Sequence, residues 1–189
     1  MAKKYNRTTE NIIRICTLAI LCAMQIVFAR FLAIPIGTSL RFSLSFIPVV
    51  IAARHYGIVG GMLVYGLGDL IGAIALPTTG AYLPGFTVTA VISGLIFGVF
   101  LGKECSPFWQ KLFSFDKRGI TVIVLSVLSN QIICSLLLNS FWLSHYYSIP
   151  FMANLATRTL QVLIIGALQI IFMVLFLYRI CAALKKAGI

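Results

Sequence analysis

Gln131, Ser135, Asn139 and Trp142 fall at i, i+4, i+8 and i+11 of one apolar segment and so share a helical face. Arg158, Gln161 and Gln169 share a face of the next segment in the same way. Amide, hydroxyl, indole and guanidinium groups in that arrangement suit the capture of a flat, polar, anionic molecule. A guanidinium grips a carboxylate through two parallel hydrogen bonds, and an indole offers its face to a planar ring. Polar side chains this deep in an apolar segment are costly in lipid, so they are expected to point into a bundle or toward a water-filled site. Gln131 and Gln169, placed deeper, read as hydrogen-bond partners between helices. Asn139, Trp142, Arg158 and Gln161, nearer the outer ends, read as ligand contacts, although Trp142 also fits an aromatic residue of the membrane interface.

Asp69 is the only carboxylate inside an apolar run, in YGLGDLIGAIALP. Two roles suit it. It could pair with an outward Arg or cap a broken helix, or it could accept hydrogen bonds from a ring with adjacent N–H donors, such as a pterin or pyrimidine. Catalytic chemistry has little to work with. His55 and His145 are the only histidines, no HExxH or GxSxG is present, and no GxxxxGK[ST] loop exists to hold a nucleotide. Five Cys form no CxxC pair and sit mostly in apolar segments as small core residues, so neither a disulfide framework nor a metal site is expected. No cofactor is implied. One buried Asp is also a poor basis for an ion channel.

The elements that must carry these groups follow from composition. A chain of 189 residues that is 60% hydrophobic with four carboxylates belongs in a bilayer. Its mean hydropathy is +1.03. Windows of about 20 apolar residues give six candidate spans, near 12–34, 42–53, 58–76, 86–101, 120–142 and 157–184, the second short and holding Pro48. Unbroken runs such as IIRICTLAILCAMQIVFA do not alternate, which excludes a β-barrel. The expectation is an all-α membrane protein with six transmembrane helices in one compact bundle, a single domain over 1–189. The first apolar run is too long for a signal peptide and lacks its cleavage site, so it reads as a retained span.

Basic residues favour the cytoplasmic side. With both termini inside, every Lys and Arg except Arg30, Arg41 and Arg158 is cytoplasmic or close to it. The net charge of +11 is therefore mostly topology with some attraction to membrane lipid, and gives no nucleic-acid footprint. The outward exceptions point to something negative outside. Arg30 reads chiefly as a snorkelling residue. Arg41, in IPIGTSLRFS, and Arg158 lack outward carboxylates to pair with. Between the third and fourth spans, PTTGAYLPGF carries the signals of a tight reversal, with Tyr82 and Phe86 offering rings over the outer mouth. Gly57/Gly61, Gly68/Gly72 and Gly94/Gly98 are small-residue pairs for close helix packing.

At these positions the chain resembles a known family, the substrate-binding S components of energy-coupling factor (ECF) vitamin transporters, and most closely its folate-type members. The resemblance rests on Arg41-Phe42-Ser43 to Ile47-Pro48, on Asp69-Leu70-Ile71-Gly72 followed by Pro77, Gly80, Tyr82, Pro84, Gly85 and Phe86, and on Asn139, Trp142, Leu143 and Ser144 before Arg158. It implies a multi-pass protein of a bacterial cell membrane with a pocket near the outer face, binding folate or a similar vitamin. Substrate contacts would come from Arg41, Asp69, Tyr82, Phe86, Asn139, Trp142, Arg158 and Gln161. Pantothenate and hydroxymethylpyrimidine remain alternative ligands, with an intramembrane enzyme or a channel further off. Ala19-Ile20-Leu21-Cys22-Ala23 matches the family's AxxxA patch. The resemblance implies that Ala19 and Ala23 dock on a transmembrane coupling subunit carried by two ATPase subunits.

Overall fold

The computed structural model describes residues 7–36, 40–76, 83–102, 117–147 and 150–186. Tyr82 and most of the PTTGAYLPGF loop lie outside them. Helix α1 (Arg7–Arg30) opens with Glu10 in its first turn and closes with Arg30 in its last, each charge opposing the helix dipole. Two three-residue strands follow, β1 (Ile34–Ile36) and β2 (Leu40–Phe42). They pair antiparallel with Ile34 opposite Phe42 and Pro35 opposite Arg41. Helix α2 (Phe46–Ala75) comes next, then α3 (Pro84–Leu101), whose Pro84 occupies the first turn, where a missing N–H costs nothing. A continuous helical rod combines α4 (Lys117–Asn130), a wider π-helical stretch (Gln131–Leu138) and α5 (Asn139–Tyr147). Helix α6 (Phe151–Lys186) closes the chain.

Five helical stretches among the described residues are long and apolar enough to cross a membrane. One of them, α2, is not straight. Gly57 adopts φ 69°, ψ −158°, a backbone region open only to glycine. In a straight helix, residues eight apart lie about 12 Å apart along the axis. Here a Cβ on Gly60 would stand 2.9 Å from the Ala52 carbonyl oxygen, and one on Gly61 3.2 Å from the Ala53 Cβ. The chain therefore folds back on itself at Gly57. The two arms, 46–56 and 58–75, correspond to the second and third spans expected from the sequence.

The returning arm packs on α3 at backbone distance. A Cβ on Gly61 would meet the Gly94 carbonyl oxygen at 2.7 Å, and one on Gly98 would meet the Ile58 Cα at 2.5 Å. Small residues permit this approach, which gains dispersion energy that lipid tails do not supply. The core gathers around the short arm of α2. Phe46, Val49 and Val50 pack with Phe42 of the hairpin, Phe97 and Leu101 of α3, Val127 of α4 and Met173 of α6. Phe42 also lies against Phe172, with ring centroids 5.5 Å apart. The hairpin is thus anchored to the bundle by one aromatic side chain.

Gly57→Ala should lower the midpoint of thermal unfolding in detergent, at a cost of about 1–3 kcal/mol for a non-glycine residue forced into this conformation. Val59→Ala, on an outward-facing position, should leave the midpoint nearly unchanged. Equal midpoints for the two variants would refute the strained reversal.

Candidate functional site

The polar faces of the last two membrane-length segments meet. The π-helical stretch and the start of α5 supply Gln131, Ser135 and Asn139, and α6 supplies Arg158, Gln161, Val162 and Ile165. Together they line a cavity of about 190 Å³. The wider turn is recorded in the backbone, where the Asn139 N–H donates to the Cys134 carbonyl, five residues back. The rod and α6 run antiparallel, so depth can be read along them. Gln131 lies level with Gln169, to which its amide nitrogen donates a 3.0 Å hydrogen bond. Asn139 lies about two turns, and Arg158 about three turns, nearer the opposite end.

Two polar atoms here are buried without a hydrogen-bond partner: the Asn139 Oδ1 and the Trp142 Nε1. A buried polar group left unpaired costs about 1–3 kcal/mol, so two within one turn of helix mark a place kept for something else. Trp142 is held firmly. Its indole lies against Gly85 in the first turn of α3, where a Cβ would overlap the ring. Tyr146 stacks on it with centroids 6.1 Å apart, and Phe141 meets it edge-on at 5.4 Å. Phe86, next to Gly85, is half-buried and donates its backbone N–H to the Leu83 carbonyl at 3.1 Å.

Asp69 sits elsewhere, on α2 between α1 and α3. Its Oδ2 accepts a 3.0 Å hydrogen bond from the Thr87 hydroxyl, and the Arg30 guanidinium is close enough to act on it electrostatically. Arg30 itself lies across Gly72, its Nε 3.1 Å from where a Cβ would be. These contacts fit the first of the two roles that the sequence leaves open to Asp69. Its contacts join α1, α2 and α3, and Thr87, two residues after Gly85, links it to the seat of Trp142. Beside it Gln25 is buried against Gly68 with its Oε1 unpaired.

The structure therefore brings together Asn139, Arg158 and Gln161, with Trp142 one turn beyond Asn139. Asp69 is not among the residues lining the cavity. Tyr82 lies outside the described residues, as does the side chain of Arg41, whose backbone is placed in β2 opposite Pro35. Ser135 lines the cavity although its position on the shared face suggested no ligand role. Gln131 forms the interhelical bond expected of it and lines the cavity as well. Thr87 and Gly85 carried a local signal, since they adjoin the Pro-Gly-Phe reversal, but their partners 18 and 57 positions away did not. Ala19 and Ala23 border a second, apolar groove of about 480 Å³ between α1 and α2, with Cys22, Ile26, Leu63 and Leu67.

Asn139→Leu should raise the unfolding temperature of the ligand-free protein, because it removes an unpaired buried carbonyl worth about 1–3 kcal/mol. Gln131→Leu should lower it by stranding Gln169. Thermal melts in one detergent compare the two, and a destabilised Asn139→Leu would show that its carbonyl already has a partner.

Residues 14–189 match the sequence profile of a family described as ECF transporter, substrate-specific component. A folate transporter, FolT, of Clostridium novyi is 34% identical over 126 residues, which is 67% of this chain and 65% of the relative, a little under two thirds of its length. The folate transporter FolT of Leuconostoc mesenteroides is 31% identical over 159 residues, 81% of this chain and 78% of the relative. The crystal structure of a FolT bound with folic acid superposes with a TM-score of 0.68 at 26% identity, covering 83% of this chain and 87% of that one. The S-component for biotin from an ECF-type ABC transporter superposes at 0.62 with 18% identity over 89% and 92% of the two chains, a likeness of fold alone.

Proposed function

The chain belongs to the substrate-specific components of ECF transporters, and on that premise we propose that it captures folate at the outer face of a bacterial cell membrane. The observation that carries this reading is the cavity between the rod and α6, with the unpaired Asn139 carbonyl on one wall and Arg158 on the facing helix, and with the unpaired Trp142 indole nitrogen one turn beyond Asn139. Folate matches that inventory. Its pterin is flat and rich in N–H donors, and its glutamyl tail carries carboxylates for a guanidinium. Pantothenate has no ring for Trp142, and hydroxymethylpyrimidine has no carboxylate for Arg158. At about 190 Å³ the cavity is smaller than the roughly 300 Å³ at which pockets for drug-sized ligands begin. It houses one end of the ligand, and the rest extends toward the mouth. There Phe86, Tyr82 and Arg41 complete the enclosure in this proposal.

Six crossings with both termini in the cytoplasm fit the reversal at Gly57. An arm of 11 residues, about 16 Å long, enters from the hairpin side and returns beside Arg54; it covers about half of a ~30 Å hydrocarbon core, and the hairpin leading into it completes this crossing in the proposal. The distribution of Lys and Arg then follows the positive-inside bias. Transport itself needs energy from elsewhere, since the sequence holds no phosphate-binding loop. In this proposal a transmembrane coupling subunit, seated on two ATPase subunits, docks against the groove bordered by Ala19 and Ala23. Their small side chains allow a partner helix to approach closely.

Titration calorimetry of the detergent-solubilised protein should show tight binding of folic acid and none of pantothenate or hydroxymethylpyrimidine. Arg158→Ala should weaken folic acid binding by at least about tenfold, the scale of a lost charge-assisted hydrogen bond, with Arg158→Lys in between. Wild-type affinity in Arg158→Ala would remove the carboxylate contact from the proposal. Ala19→Trp should leave calorimetric binding intact and abolish folate uptake in cells that carry the whole transporter. Normal uptake there would move the docking surface elsewhere.

A further inference from the structure

The rod changes its hydrogen-bonding step beside the cavity. Through the π-helical stretch (Gln131–Leu138) each N–H reaches five residues back, and the last of these bonds runs from the Asn139 N–H to the Cys134 carbonyl. Helix α5 begins at Asn139 and keeps the α-helical step of four. The next N–H, that of Ser140, therefore pairs with the carbonyl of Leu136. One carbonyl between these two bonds, that of Ser135, is passed over by the ladder. No side chain among the described residues donates to it. A helical carbonyl stands above its own Cα and points along the axis toward the residue four positions on. For Ser135 that residue is Asn139, and both line the cavity. The passed-over oxygen thus lies on the cavity wall, between two side chains that face the same space.

We infer that the Ser135 backbone carbonyl is a ligand-binding acceptor, freed by the π-helical turn and offered to the cavity. A side-chain amide can turn and exchange its ends, but a backbone carbonyl is an acceptor in every arrangement. The wall therefore favours a ligand edge that carries an N–H at this point and disfavours one that brings a bare lone pair. The inference deepens the proposed folate site and rests on it, and it names an N–H of the pterin as the donor. It also gives the wide turn a use. Such turns are rare and recur at functional sites, and here the one surplus residue is what releases the carbonyl.

Ser135-Leu136 is one of three Ser-Leu pairs in the chain, with Ser39-Leu40 and Ser43-Leu44. Labelling serine carbonyls with carbon-13 and leucine nitrogens with nitrogen-15 reduces the carbonyl–amide correlation spectrum of the full chain in detergent to these pairs. The signal lost in Leu136→Met is the one that reports Ser135. Saturating folic acid should move it downfield in carbon, as a carbonyl carbon moves when its oxygen accepts a hydrogen bond. An unmoved or upfield signal in the folate-bound protein would overturn the inference and leave the folate site standing. Absence of any folic acid binding in titration calorimetry would refute the folate reading itself, which is a different result. Deleting Ile133, an outward-facing residue of the same stretch, removes the surplus residue. Gln131, Ser135, Asn139 and Trp142 then fall at i, i+3, i+7 and i+10, still one helical face, while every carbonyl of the stretch regains a partner. This variant should bind folic acid at least about tenfold more weakly, the scale of one hydrogen bond to a buried group. Wild-type affinity in the folded deletion variant would overturn the inference, and if that variant does not fold, the carbonyl shift of the wild type decides alone.

Discussion

A polar atom enclosed by apolar helices must find a partner, and in lipid there is no water to take that part. This requirement sorts the polar side chains of the bundle into two kinds. Gln131 and Gln169 answer each other across the gap between the rod and α6, and Asp69 is answered by Thr87 with Arg30 nearby. The carbonyl of Asn139 and the indole nitrogen of Trp142 have no answer among the described residues. The first kind holds helices together; the second, to which the Gln25 Oε1 and the Asn130 Oδ1 also belong, keeps hydrogen-bonding capacity unused. A protein built only for stability would have placed Leu or Phe at such positions.

The rest of the fold keeps those unanswered groups in place. The reversal at Gly57 folds the short arm of α2 back on the long one, and Gly61 and Gly94 press the long arm onto α3. That block is dense, with Val49, Ala52 and Ala53 wholly buried. It presents Gly85 at the start of α3 as the seat of Trp142, so the indole is located by a rigid neighbour. The hydrogen bond from Thr87 to Asp69 fixes the same turn of α3 to α2. Asn139, Trp142, Arg158 and Gln161 all sit on helices, where side-chain placement is more exact than on loops.

The membrane class and the face shared by Gln131, Ser135, Asn139 and Trp142 were legible in the sequence, because composition and a period near four residues are local properties. The division of labour within that face was legible in part, since the depth of Gln131 marked it as an interhelical partner but not also as cavity wall. Whether Gln131 is a bridge or a wall depends on Gln169, 38 residues away, and no spacing rule reaches across a helix pair. The structure makes it both. The break between the second and third spans was visible in the short segment with Pro48 and in Arg54-His55-Tyr56-Gly57, but the sharpness of the turn depends on one φ angle that only the glycine hints at. Two features left no trace. Strands of three residues are too short to show alternation, so IPIGTSLRF carried no strand signal, and the π-helical widening over Gln131–Leu138 has no compositional signature.

The charge on Arg158 has no counter-ion among the described carboxylates. The chain has four carboxylates. Glu10 lies in the first turn of α1 and Asp69 is engaged with Thr87; Glu104 and Asp116 lie outside the described residues. A cation partly withdrawn from water within a bundle is costly until an anion meets it. When the anion must come from outside the chain, part of its binding energy is relief of a cost already present in the empty protein. This favours the carboxylate-bearing end of a ligand over a neutral isostere of the same shape.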